Sequence, residues 1–300
     1  MADNTKPKAA RQNDLRAYHF TCVCPRCTND WDVYQVCRTS SLLPMNTRSL
    51  APDLNKLRNP PLDADLYAKL TRSQVEKIFS EWDSITIAKA GGVREKTQLR
   101  WKLCRPLVEA KAWALEPLPL TVLDLAAMYQ TGPINYVNAL SLACFLATEC
   151  VPYRLVAPFN RWRIKGVLLI ARLLAHTAEI FAGGHPTKPL PKNCPKELVT
   201  VLSNCDQVSM CEAMLRLVML YGPLASSEEW DTVHMAGEML RDIEQLEGRE
   251  KESNLLKAWI RDPANVEAKS YFTSQILAPI QDAATFAIGI MDAELGDGHT

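Results

Sequence analysis

From Asp63 to Glu294 apolar side chains return every three to four residues, interrupted by prolines and glycines and not by alternating strand-like runs. That period gives each segment one apolar stripe, the signature of packed helices. The first stripe starts at Asp63, turns Leu66, Leu70, Phe79 and Trp82 to one face, and stops at Gly91-Gly92. A second helix is expected over residues 93–116, burying Leu99, Leu103, Leu107, Ala112 and Leu115, kinked at Pro106 and closed by Pro117 and Pro119. A third covers residues 121–130 and closes at Gly132-Pro133. The fourth, residues 134–149, is apolar nearly all round and belongs in the middle of the stack. Pro152 and Pro158 punctuate a loop, and a fifth helix follows over residues 162–181, with Lys165 and Arg172 as polar edges.

Residues 183–195 hold two glycines and four prolines and read as a loop. Apolar helix resumes over residues 196–221, where Met210, Met214 and Met219 read as core. Ser226-Ser-Glu-Glu229 has capping-box spacing ahead of Trp230, Val233, Leu240 and Ile243, and Gly248 ends that helix. Asp262-Pro263 supplies an N-cap and first-turn proline for a segment ending near Ala278-Pro279, and a last helix spans residues 280–294. The sum is an all-α fold of antiparallel helix pairs, a tetratricopeptide-like arrangement. No W-x2-L-G-x2-Y pattern and no fixed period near ~34 residues is present, so the helices pair without forming a consensus repeat array.

Three regions follow. Residues 62–300 form the helical domain. Residues 38–61, with Ser40, Ser41, Pro44, Pro52, Asn55, Pro60 and Pro61, break every period and read as a linker. Residues 1–37 are rich in cysteine: a short helical turn over residues 11–17 with Leu15 inward, then Tyr18-His-Phe20-Thr-Cys22-Val-Cys24-Pro-Arg-Cys27.

Charge excludes one class of partner. Lys plus Arg and Asp plus Glu both total 34, which leaves no net charge to hold the chain on a nucleic acid. The longest uncharged stretch, residues 125–148, contains Gln130, Gly132, Pro133, Asn135 and Asn138 and makes a poor membrane span. The N-terminus has no apolar leader, so the ten cysteines are expected as reduced thiols in a cytoplasmic or nuclear protein.

Three thiols spaced C-x-C-x2-C suit zinc, which takes four N or S ligands in a tetrahedron. Cys22, Cys24 and Cys27 are the candidate ligands, giving a small zinc segment in front of the helices. The fourth ligand stays open between Cys37 and a group from elsewhere; buried free thiols are the plain alternative. His19 would have to fold back on its own turn and reads as a solvent or partner contact. Cys104, Cys144, Cys150, Cys194, Cys205 and Cys211 show no ligand spacing, and Cys144 and Cys205 read as small hydrophobes on apolar helix faces. No nucleophile triad, phosphate-cradling glycine loop or H-E-x-x-H is present.

The run Arg11-Gln-x-x-Leu15-x-x-Tyr18-x-Phe20-x-Cys22-x-Cys24-x-x-Cys27 resembles the post-SET segment of SET/MYND-type protein-lysine methyltransferases, and residues 62–295 look like the helical domain that follows it there. The resemblance implies that Cys22, Cys24 and Cys27 bind zinc with a fourth cysteine from the SET domain. It implies that Tyr18 lines the target-lysine channel and that Phe20 packs on the adenine of S-adenosylmethionine. An aromatic wall holds a lysine stem and draws its ammonium by cation–π attraction, and methyl transfer rests on in-line positioning of amine and sulfonium. The sequence departs from the family in having no Asn-His pair, no glycine loop after a strand and no paired-cysteine MYND finger.

Two functional readings follow. In the first the chain is the C-terminal portion of an S-adenosylmethionine-dependent protein-lysine methyltransferase, inactive by itself. In the second it is a non-catalytic helical module, stapled by zinc, that binds a partner protein. In both the partner is a protein, as substrate or as binding partner.

Overall fold

In the computed structural model of the 300-residue chain, residues 8–23, 28, 45–46, 51–52, 70–89, 91–112, 117–130, 135–150, 161–183, 186–187, 189–190, 193–222 and 230–296 are described. They are all-helical apart from one two-residue antiparallel pair, Met45–Asn46 with Ala51–Pro52. Helix α1 is Lys8–Arg16. The helical domain then contributes α2 (Arg72–Ile87), α3 (Val93–Glu109), α4 (Pro117–Tyr129) and α5 (Tyr136–Phe145), which continues as a π-helical turn over Leu146–Cys150. Next come α6 (Arg161–Ile180), α7 (Lys196–Asn204), α8 (Gln207–Tyr221), α9 (Trp230–Glu244) and α10 (Glu250–Arg261). The last rod begins as α11 (Val266–Tyr271), passes through a π-turn over Phe272–Leu277 into α12 (Ala278–Ala284), and ends in α13 (Ala287–Leu295).

Successive helices pack on one another: α2 on α3, α3 on α4, α4 on α5, α5 on α6 and α6 on α8. The chain then returns, with α12 on α5 and α13 on both α3 and α5. As its all-round apolar pattern requires, α5 lies at the centre, with Val137 to Phe145 buried throughout. Its Ser141 hydroxyl donates to the Ala283 carbonyl of α12 at 2.7 Å, so a polar group enters the core already paired. The run Val266–Leu295 is long and apolar enough to cross a membrane by length and composition. Phe272, Ile276, Ile280, Ala283, Ile290 and Met291 of that run are buried in the core.

Several helix limits and faces differ from expectation, each for a local reason. Asp63, Leu66 and Leu115 lie outside the described residues, but Leu70 and Trp82 are buried and Phe79 is half-buried, as expected. A capping box starts α2: Thr71 Oγ1 accepts from Gln74 N–H, and Gln74 Oε1 accepts from Thr71 N–H. Leu99 was expected inside, yet it is 49% exposed. The buried stripe of α3 is Thr97, Arg100, Trp101, Cys104 and Leu107, rotated because its polar members find partners. Arg100 donates to Asp124 at 2.5 Å and to Thr86 at 2.9 Å, and its guanidinium lies 4.6 Å from the Trp82 ring centre. Helix α3 stops at Glu109 and not at residue 116, through Lys111 at φ 53° and a Leu107 carbonyl that accepts from Ala112 N–H at 2.8 Å. Pro117 opens the next helix instead of closing this one.

The long apolar stretch before Tyr221 is two helices, separated at Cys205-Asp206, where Asp206 caps α8 by accepting from Ser209 N–H at 3.0 Å. Cys205 is therefore a half-buried hinge residue and does not sit on a helix face. Trp230 is 65% exposed and Met219 37% exposed, so neither is core. Residues 223–229, with the expected capping box, lie outside the described residues. The N-cap of α11 is Asn265, which accepts from Ala268 N–H, and not Asp262. Ala278-Pro279 ends nothing: Pro279 lies inside the continuous rod, just after the π-turn over Phe272–Leu277, and the helix runs on as α12.

Candidate functional site

The thiol segment hangs on the end of α1. Leu15 O accepts from Tyr18 N–H at 3.0 Å and from Phe20 N–H at 3.3 Å, and His19 N–H donates to Arg16 O at 2.9 Å. This turn carries His19 at φ 52°, the left-handed region. It leaves Tyr18 74% exposed and Phe20 53% exposed, with His19 exposed between them. Leu15 is half-buried, close to the inward position its spacing implies.

Beyond the turn, the Gln12 carboxamide grips Cys22. Its Nε2 donates to Cys22 O at 2.9 Å, and its Oε1 accepts from Cys22 N–H at 3.2 Å. Cys22 itself is half-buried. Thr28 Oγ1 then donates to Val23 O at 3.0 Å, so the two ends of the stretch that holds Cys24 and Cys27 meet. Cys24, Cys27 and Cys37 lie outside the described residues. Among the described residues no three of His, Cys, Asp and Glu converge to hold a metal ion. The structure thus places Tyr18, Phe20 and Cys22 along one short path, with the two aromatics open to solvent. By donor chemistry, three thiols in C-x-C-x2-C spacing fit zinc.

Cys104, Cys144, Cys194, Cys205 and Cys211 are poor ligands and nucleophiles. Burial pushes the Cys104 and Cys211 thiols up to about 12, and Cys194 and Cys205 up to about 11. Burial also raises Cys144, aided by Cys205. A thiol held protonated neither attacks nor binds metal readily. Neither helix histidine belongs to a group of three ligands among the described residues: His176 stacks on Tyr136 at 4.7 Å, and His234 lies 4.8 Å from the Trp230 ring and 3.6 Å from the Glu238 carboxylate one turn on.

Among the described residues, two stretches of the helical domain line cavities that were not legible in the sequence. One, of about 160 Å3, is lined by Arg94, Leu125, Met128, Tyr129, Asn135, Asn193 and Glu294. Three donors there converge on one carboxylate. Glu294 accepts from Asn193 Nδ2 at 2.7 Å and Tyr129 OH at 3.1 Å and pairs with Arg94 at 2.5 Å. Burial and the Glu294 carboxylate both raise the Tyr129 phenol, so it stays a proton donor. The cluster is filled by its own anion and fastens α13 to α3 and α4. The second cavity, about 250 Å3, lies between α6 and α9 and is lined by Lys165, Leu168, Leu169, Arg172, Asp231, Thr232 and Met235.

Comparison with protein-family models, with curated proteins and with solved structures finds no match to this chain. Its class rests on its own geometry: an all-helical protein with an N-terminal thiol segment that displays two aromatic rings.

Proposed function

We propose that this chain is the C-terminal portion of a SET/MYND-type, S-adenosylmethionine-dependent protein-lysine methyltransferase. One observation carries the reading: Tyr18 and Phe20 are both exposed beside Cys22, in the register Y-x-F-x-C-x-C-x2-C. Two aromatic rings left open to water on an ordered turn forgo roughly 25 cal/mol for each Å2 not buried. A SET core packed against them would recover that area. Tyr18 would then wall the lysine channel and Phe20 would offer its face to the adenine.

Cys22, Cys24 and Cys27 would hold zinc, which ties the segment to the core by sharing a fourth thiolate. S-adenosylmethionine does not fit on these residues alone. Phe20 provides one stacking face, and the sequence has no Asn-His pair for the remaining contacts. Residues 62–295 would form the tetratricopeptide-like domain of antiparallel helix pairs, its last helices folded back on α3 and α5.

The transcript tests this directly. Full-length cDNA sequencing is expected to show, in frame and 5′ of the Met1 codon, an Asn-His-(Ser/Cys)-Cys coding segment. A transcript whose reading frame is closed immediately upstream would overturn the methyltransferase reading and leave the zinc-stapled interaction module.

A further inference from the structure

Helices α6 and α9 both pack on α8, and the cavity of about 250 Å3 lies between them. The side of α6 that borders it reads Lys165, Leu168, Leu169 and Arg172, spaced i, i+3, i+4 and i+7. Residues so spaced share one face, the stripe by which a helix receives another helix. Leu168 is buried and Leu169 half-buried. Across the groove Met235 of α9 is 41% exposed, and its flexible thioether adapts to whatever packs on it. The two rims carry opposite charge. Lys165 and Arg172, both exposed, end the α6 stripe roughly 10 Å apart along the helix axis, and Asp231 is exposed on the α9 side. A volume of about 250 Å3 falls below the ~300–1,000 Å3 of pockets that enclose a small molecule, so the groove suits the side chains of a docked segment.

We propose that the groove between α6 and α9 docks an amphipathic helix of a partner protein. The charge pattern selects the chemistry of that helix. It presents an apolar stripe to Leu168, Leu169 and Met235, carboxylates seven residues apart on the edge facing Lys165 and Arg172, and a cation on the edge facing Asp231. Apolar contact alone would accept any amphipathic helix. The two α6 cations reject one that carries lysines at the carboxylate positions, because juxtaposed like charges repel. The proposal concerns the helical domain alone and is independent of both methyl transfer and zinc.

The test uses the full chain, with two synthetic alanine-based peptides, held helical by side-chain lactam staples, as probes. Both carry the same leucine stripe; one has glutamates seven residues apart beside it, and the other has lysines there. Binding is measured by isothermal titration at low salt, where charge contacts between exposed groups are least screened. Wild type is expected to bind the glutamate helix about tenfold more tightly than the lysine helix. Arg172→Glu, a change at an exposed position, is expected to invert that preference. Met235→Ala is expected to weaken binding of both probes with unchanged circular dichroism. No binding of either probe, equal affinity of wild type for the two, or a preference that Arg172→Glu leaves in place would overturn the proposal. So would sedimentation showing that the chain self-associates and that Met235→Lys makes it monomeric, since the groove would then belong to a second copy.

Discussion

Replacing Trp101 by alanine is expected to cost about 3–5 kcal/mol of stability, the usual penalty for truncating a buried tryptophan. Trp101 is 1% exposed, and it closes the helical domain on itself as well as filling space. Its Nε1 donates to Asp292 Oδ1 at 2.9 Å, across 191 residues, and Arg105 adds a second donor to the same carboxylate. The ring therefore joins α3 to α13, alongside the Arg94–Glu294 ion pair. Trp101→Phe separates the two contributions: it keeps most of the packing and loses one hydrogen bond to a charged acceptor, about 1.5–3 kcal/mol. Urea unfolding at constant m value measures both. A loss below 1 kcal/mol in Trp101→Ala would mean that α13 does not dock on α3.

The second large effect is expected at Arg216. Glu212 on α8 has a side chain only 1% exposed, and Arg216 meets it with Nε at 2.8 Å and Nη2 at 2.6 Å. Ser253 of α10 donates to the same oxygen at 2.8 Å, and Arg216 Nη2 reaches Glu244 of α9 at 2.8 Å. Three helices meet at this one guanidinium. Arg216→Met leaves a buried carboxylate without its countercharge, which costs about 3–5 kcal/mol. Replacing both members, as Arg216→Met with Glu212→Met, removes the stranded charge and is expected to recover most of that loss, because a desolvated ion pair contributes little net stability over apolar packing. A double variant no more stable than Arg216→Met would show that the carboxylate was not the source of the cost.

Much of the fold was legible wherever apolar period alone decides burial. Residues 134–149 are apolar on every face, and α5 duly lies at the centre. Where polar residues are buried in pairs, the pattern misleads. In α3 the period around Leu99 and Leu103 looks stronger than that around Thr97, Arg100 and Trp101, and the latter goes inside because Asp124, Thr86 and Asp292 receive its donors. Prolines misled in the same way. Pro117 begins a helix here, since a first turn has no use for an amide hydrogen, and Pro279 is carried inside a continuous rod just after a π-turn. Helix α10 was missed because it is heavily charged and buries only Leu256 and Trp259.

At the candidate site the thiols and aromatics stand out in sequence, because three cysteines within six residues are rare and chemically specific. Gln12 does not stand out. Its contact spans ten residues from a helix to an extended stretch, and no period or spacing marks it. The Glu294 cluster joins residues 101 or more positions apart in sequence, so only the folded chain brings Arg94, Tyr129 and Asn193 to one carboxylate.

The most direct test of the thiol segment as a zinc-bound platform for Tyr18 and Phe20 is metal analysis of the purified full chain beside its Cys22→Ser, Cys24→Ser and Cys27→Ser variants. One zinc per wild-type chain, with binding weakened or lost in each variant, is the expected result. A zinc-free wild-type chain that melts identically with and without chelator would contradict it.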